Sequence, residues 1–167
     1  MNIIILGAGS VGASVAENLA LESNDVTMID TDSEKLHALQ DRLDIRTIIG
    51  HASHPSVLEQ AGAADADMLL AVTDSDEVNM VACQMAATLF NTPNKIARVR
   101  ASAYLDRKEL LQQEQALVDM FISPEQVVTD YIQKLLERPG SLQVLDFAGG
   151  TVVHINAGIA GLVAAIM

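Results

Sequence analysis

Ile3-Ile4-Ile5-Leu6-Gly7-Ala8-Gly9-Ser10-Val11-Gly12 opens the chain, and its reading decides the fold. Four apolar residues in an unbroken run, closed by glycine, mark a strand buried on both faces. Val11, Val15 and Leu19 then recur every fourth residue, the spacing of an amphipathic helix. Glycines spaced GxGxxG between such a strand and such a helix each have a physical use. Gly7 permits a tight turn, Gly9 lets backbone approach a pyrophosphate, and Gly12 lets helix pack closely on strand. Phosphates then sit at the helix N-terminus, where free N–H groups and the macrodipole favour anions.

A second apolar run, Val26 to Ile29, ends in Asp30, whose carboxylate is placed to accept hydrogen bonds from both ribose hydroxyls. Thr31 follows it rather than Arg, so a 2′-phosphate would meet an unneutralised acid, which disfavours NADP. NAD(H) is the expected ligand. AMP, ADP, ATP and S-adenosylmethionine carry the same adenosine and stay open.

The alternation of strand and helix continues. Ser33 is positioned to cap a helix striped by Leu36, Leu39 and Leu43, and Thr47 to Ile49 reads as a third strand closed by Gly50. Pro55 suits the first turn of a short helix and Gly62 its stop. Met68 to Val72 is a fourth strand, followed by a helix carrying Val78, Val81, Met85 and Leu89. Ile96 to Val99 and Met120 to Ile122 are the fifth and sixth strands, with a polar helix between them. Repeated β-α-β units with short connections predict an α/β fold, a doubly wound, Rossmann-like parallel sheet of six strands over residues 1–123. Pro124 begins a helix over 124–138 with Val127, Val128, Tyr131, Ile132 and Leu135 on one side, a stripe for the chain's own sheet or for a partner subunit. Pro139-Gly140 marks a boundary, so 124–140 is a helix and linker. Leu142 to Phe147 and Thr151 to Asn156 flank Gly149-Gly150 as a hairpin, and 141–167 reads as the incomplete start of a further subdomain.

Composition narrows the function classes. Of 167 residues half are hydrophobic but only 3% aromatic, which suits an aliphatic core of strands and covering helices. Ten basic residues against 22 acidic ones leave a formal charge of −12, which argues against nucleic acid as a partner. A single phosphate held by backbone N–H groups is compatible with it. Cys83 is the only cysteine, so no intramolecular disulfide forms and a reducing compartment fits. No apolar run approaches the roughly 20 residues that span a bilayer. The expectation is a cytoplasmic chain without membrane insertion.

Ligands in such sheets lie outside the carboxyl ends of the strands, where strand order reverses. Gly50-His51-Ala52, Thr73-Asp74 and the end of the fifth strand should therefore share one crevice. Arg98 and Arg100 alternate with Ala97 and Val99, so both should point to one side and need an anion, either a phosphate or a carboxylate such as Asp74. Asp74, Asp76 and Glu77 fit a helix start better than a cation site. His51, His54, His37 and His154 lack metal-ligand spacing, and Cys83 sits in a core pattern. Tyr104 and Lys108 share the YxxxK spacing of the short-chain dehydrogenase pair, but no substrate lobe follows them. A regulatory binding module, an NAD-dependent oxidoreductase and a methyltransferase remain as classes.

GAGSVG at 7–12, IDTD at 29–32, RTIIG at 46–50, AGAADADMLLAVTDSDEVNM at 61–80 and IARVR at 96–100 together resemble the TrkA-N modules of the RCK (KTN) group. These are the N-terminal nucleotide-binding modules of cytosolic regulatory subunits in bacterial Trk potassium-uptake systems. The resemblance runs over residues 1–156, and the string at 61–80 is far more specific than the glycine motif.

The resemblance implies a regulator and not an enzyme. It implies binding of NAD(H) or ADP/ATP, and homo-oligomers in which dimers build a tetrameric ring. The ring would lie at the inner face of the membrane, under a potassium channel or transporter subunit. By position, Gly7, Gly9, Ser10, Val11 and Gly12 would hold phosphates and Asp30 the ribose. Ala52 would approach adenine, Thr73 and Asp74 would line the far end, and Arg98 would reach a phosphate or a ring partner. The helix at 124–138 resembles the crossover helix through which such modules pair. The family carries two modules in tandem, and the stretch from Ala157 onward does not match its continuation, so a fragment or a disrupted coding frame is expected.

Overall fold

The computed structural model describes residues 1–106, 118–137, 141–147 and 150–155. It divides into two compact units, Met1–Ile122 and Ser123–Met167.

The first unit is a parallel sheet of β1 (Asn2–Leu6), β2 (Asp25–Asp30), β3 (Arg46–Ile49), β4 (Met68–Ala71), β5 (Asn94–Arg98) and β6 (Met120–Ile122). The strands lie in the order β3-β2-β1-β4-β5-β6, every neighbouring pair parallel. The expected six-stranded, doubly wound α/β fold is the observed one. Strand edges fall within one or two residues of the sequence reading. Val72 and Val99 lie just beyond β4 and β5, where each amide still makes one ladder bond, to Leu6 O at 2.9 Å and Ile122 O at 3.0 Å.

Helices cover both faces. α1 (Ser10–Leu21) and α2 (Ser33–Gln40) bury Ala16, Leu36 and Leu39 with Ile3, Ile5, Val26 and Met28. α3 (Pro55–Gln60) and α4 (Asp76–Phe90) bury Leu58, Ala82, Cys83 and Ala86 against Ile4, Leu6, Ile29 and Leu69. The alternate residues of β1 thus serve opposite cores, which is why its sequence is apolar throughout. Because α1 and α4 lie on opposite faces, the loops leaving β1 and β4 diverge and open a crevice between them.

One cap differs from the sequence reading. α2 is capped by Asp32, whose side chain accepts from the amides of Glu34 at 3.0 Å and Lys35 at 3.3 Å, so Ser33 is the first helical residue. Asp32 has its pKa lowered, chiefly by the Lys35 amide, against an opposing effect of burial. α4 is capped by Ser75, whose hydroxyl accepts from the Val78 amide at 3.3 Å. Asp76 and Glu77 occupy its first turn. Pro55 stands at the start of α3 as expected, and Gly62 follows it in the left-handed region at φ 82°. A short helix α5 (Ser102–Leu105) follows β5. The polar helix expected before β6 lies outside the described residues, as does Lys108.

The second unit holds α6 (Pro124–Glu137) and an antiparallel hairpin of β7 (Ser141–Phe147) and β8 (Gly150–Ile155). Val128, Tyr131 and Ile132 of α6 are exposed. The expected boundary at Pro139-Gly140, the hairpin turn up to Gly149, and the stretch from Asn156 onward lie outside the described residues.

Candidate functional site

Above the carboxyl ends of β1 and β4 lies a cleft of about 480 Å³. Gly7, Gly9, Ser10, Val11, Asp30, Ala52, Thr73, Asp74 and Arg98 line it, so nine of the ten residues named from sequence converge there. The tenth, Gly12, lies beneath the loop. A Cβ on Gly12 would sit 1.9 Å from the Gly7 carbonyl oxygen, so this glycine is a packing requirement. Gly7 has φ 104° and its own Cβ would touch the Thr73 backbone at 3.0 Å. Gly9 is different, since a Cβ there meets nothing within 4 Å. Its open side is space that a ligand can approach.

Gly9 is the N-cap of α1 and offers no side-chain cap, and the first turn carries no acidic residue. Its N–H groups and the positive end of the dipole therefore remain available to an anion. At the near end, the carboxylate of Asp30 accepts the Ala8 amide at 2.6 Å through one oxygen and the Asp32 amide at 2.8 Å through the other. Each carboxylate oxygen has two lone-pair directions, so Asp30 can be held in place and still accept two ribose hydroxyls.

Among the described residues, two cations line the cleft, Arg98 and Lys35. Lys35 was not singled out in the sequence, and its ammonium pairs with Asp32 at 3.4 Å. Its signal is positional, three residues after the cap acid on the first turn of α2. Arg98 and Arg100 do not share one fate. β5 ends at Arg98, so the strict alternation of a strand no longer applies at Arg100. Arg98 lines the cleft, whereas Arg100 pairs with Asp76 at 3.6 Å and donates to the main-chain oxygen of Asp74. The carboxylate that meets Arg100 is thus Asp76 rather than Asp74. Asp76 is buried, and one of its oxygens also accepts the amides of Arg100 and Ala101, both at 2.8 Å.

Asn79 was also missed, and it is fully buried in the first turns of α4. Its Oδ1 accepts from the Thr73 amide at 2.9 Å and the Thr73 hydroxyl at 2.7 Å. Its Nδ2 donates to the carbonyls of Thr73 at 3.2 Å and Arg98 at 2.9 Å. The readable signal is a polar residue on the buried stripe Asn79, Ala82, Cys83, Ala86, where only a satisfied amide is tolerated.

The remaining sequence signals resolve into structure. Tyr104 donates its hydroxyl to Glu77 at 3.0 Å. That hydrogen bond, reinforced by the Glu77 charge, raises the Tyr104 pKa. Glu77 is lowered, chiefly by its own backbone amide, with the Ser75 and Tyr104 hydroxyls adding to it. His51 lines the cleft and stacks on His54 with ring centroids 4.9 Å apart. Cys83 is buried, and burial pushes its thiol up to about 12. Among the described residues no group of three or more His, Cys, Asp or Glu is arranged to hold a metal, and no helix is long and apolar enough to cross a membrane.

The chain is 63% identical over 152 residues to the Trk system potassium uptake protein TrkA of Halomonas elongata, an alignment covering 91% of this chain and 33% of that one. It spans about a third of the length of the curated relatives it matches. Among solved structures, the TrkA-N domain of inner membrane protein ybaL from Escherichia coli superposes with a TM-score of 0.70 at 18% identity, covering 81% of this chain and 96% of that one. The GsuK channel bound to NAD gives a TM-score of 0.61 at 18% identity, covering 74% of this chain and 21% of that one. At such identities the likeness is one of fold. The sequence itself matches the TrkA-N domain over residues 3–124, a span that takes in every wall of the cleft, and the chain belongs to the TrkA-N domain family.

Proposed function

We propose that this chain is the nucleotide-sensing part of a regulatory subunit for potassium uptake, and that NAD(H) occupies the cleft at the β1–β4 crossover. The carrying observation is the convergence of the uncapped α1 N-terminus, the doubly anchored Asp30 carboxylate and Arg98 on one cavity. In this reading Gly7, Gly9, Ser10, Val11 and Gly12 shape the phosphate seat, and Asp30 takes the ribose hydroxyls. Ala52 flanks adenine, Thr73 and Asp74 line the far end, and Arg98 neutralises the phosphate farther from adenosine. ADP or ATP would share the adenosine end of the same seat. The 63% identity to a potassium uptake protein supports the physiological role, and the GsuK channel bound to NAD supports the choice of ligand.

A nucleotide shifts a gate only by binding one conformation of the assembly better than another. The partners proposed are therefore further copies of this chain, pairing into dimers and a tetrameric ring, and a membrane-embedded potassium transporter or channel subunit. Residues 1–123 form the nucleotide-binding domain, 124–140 the crossover helix and linker, and 141–167 the start of a C-terminal subdomain. The exposed Val128, Tyr131 and Ile132 of α6 favour pairing through that helix. The protein works in the cytoplasm, peripheral to the membrane. Catalysis is not part of this reading, because Tyr104 is tied to Glu77 and its pKa is raised, opposite to the shift a catalytic tyrosine needs.

Titration calorimetry of the chain with NADH, NAD⁺, ADP, ATP and S-adenosylmethionine tests the ligand. Binding of NADH or NAD⁺ is expected, and binding of S-adenosylmethionine alone overturns the reading. Light scattering tests assembly, and a strict monomer at high concentration counts against pairing through α6.

A further inference from the structure

The far wall of the cleft is made by two separate loops, one leaving β4 at Thr73 and one leaving β5 at Arg98. Farther out, Arg100 and Asp76 tie the two loops together, and at the cleft wall itself the link between Thr73 and Arg98 is the Asn79 side chain. Asn79 makes four hydrogen bonds, two accepted from the amide and hydroxyl of Thr73 and two donated to the carbonyls of Thr73 and Arg98. A carboxamide has two donor hydrogens and two acceptor lone pairs, so its capacity is fully used. The two carbonyls on one side and the amide on the other fix which atom is nitrogen. Asn79 is fully buried, and no other residue type presents that donor-acceptor pattern at that length.

The Thr73 hydroxyl follows from this arrangement. Its hydrogen is directed to Asn79 Oδ1 at 2.7 Å, shorter than the 3.3 Å to the Ser75 carbonyl. The oxygen also accepts from the Ser75 amide at 3.3 Å. Toward the cleft it therefore offers a lone pair and not a proton. A ligand group at that end has to donate, as a hydroxyl or carboxamide does and a phosphate does not.

We propose that Asn79 is a positioning residue for the nucleotide site, one that fixes the separation of the Thr73 and Arg98 loops and the polarity of the Thr73 hydroxyl. It acts on ligands long enough to reach that wall and leaves the adenosine end alone. This rests on the cleft being a nucleotide seat, with adenosine at Asp30.

The test compares NADH, which extends past the phosphate seat, with AMP, which does not, by calorimetry on the whole chain. Asn79→Asp keeps the shape and both accepting contacts but sets an oxygen against the two carbonyls. NADH affinity is expected to fall by about tenfold or more, and AMP affinity to change by no more than about twofold. Asn79→Ser removes the amide without adding charge and replaces the first variant if thermal melting shows that it does not fold. Equal losses for both ligands in a folded variant make Asn79 a purely structural residue and overturn the proposal, as does unchanged NADH affinity. If the wild-type chain binds neither ligand, the nucleotide reading itself fails and takes the inference with it.

Discussion

The carboxylate of Asp30 accepts the amide of Ala8 at 2.6 Å, so the acid ending β2 and the glycine loop ending β1 are joined before any ligand arrives. With its second oxygen on the Asp32 amide, Asp30 is a structural clamp as well as a candidate ribose ligand.

Asp30→Ala should therefore cost stability as well as affinity. Two buried or half-buried amides lose a charged acceptor, for which about 1–3 kcal/mol is expected in denaturant unfolding. Ligands carrying adenosine should weaken by about tenfold or more. Unchanged NADH affinity in a folded variant would remove Asp30 from the ribose site.

The glycines of the loop should separate by function. Gly12→Ala forces a Cβ to within 1.9 Å of the Gly7 carbonyl, and backbone cannot yield as a side chain does. A loss of about 3 kcal/mol or more is expected, or failure to fold. Gly9→Ala meets no neighbour, so its stability should stay within about 1 kcal/mol of wild type while nucleotide binding falls. Intact NADH binding by Gly9→Ala would mean that no ligand backbone approaches there.

Glu77 and Tyr104 predict opposite limbs of a pH profile. Glu77 has its pKa lowered below 4.5, so its stabilising effect is present above that pH and is lost as pH falls through the folded value. Tyr104 has its pKa raised above 10.0, so its share is present below pH 10.0 and is lost as pH rises through the folded value. Comparing melting temperatures of wild type and Tyr104→Phe should give a difference that is flat between about pH 5 and 10 and shrinks on both sides. A difference independent of pH would show that the hydrogen bond contributes nothing to folding.

Cys83 should be inert while the sheet is closed. Burial pushes its thiol up to about 12, and its side chain is directed at the Ile96 carbonyl at 3.8 Å. Native protein should react with an aromatic disulfide reagent only at the rate at which α4 opens, and unfolded protein at once. Rapid stoichiometric labelling in native buffer would contradict the buried placement.

Much of this was legible because strands buried on both faces leave a plain record. The runs Ile3–Leu6, Val26–Ile29 and Met68–Val72 are each closed by a glycine or a polar residue, whereas the strand order, with β4 crossing back to pair with β1, is not written in the alternation of helix and strand. The candidate site was legible for the same reason, since backbone order alone sends the loops after β1, β2, β3, β4 and β5 to one end. What escaped depends on facts beyond periodicity. Arg100 was expected to follow Arg98, but a strand's alternation stops where the strand stops. Ser33 and Asp32 are both good caps, and only the observed turn chooses between them. Asn79 was invisible because its partners lie at Thr73 and Arg98, the second of them 19 residues away. A buried amide announces itself in sequence only as an oddity on an apolar stripe.

The position of β1 has a consequence for how the domain comes into being. It precedes both of its partners in sequence and lies inside the sheet, pairing with β2 on one side and β4 on the other. During synthesis it therefore emerges with both edges bare. β2 closes one of them from Asp25 onward, but Ile3 waits for Met68 on the other. For the interval between, a run of isoleucines stands as an open template for any strand that offers itself. The cleft lies over this same β1–β4 seam, so any ligand seated there would brace a joint whose two sides are made far apart in the chain.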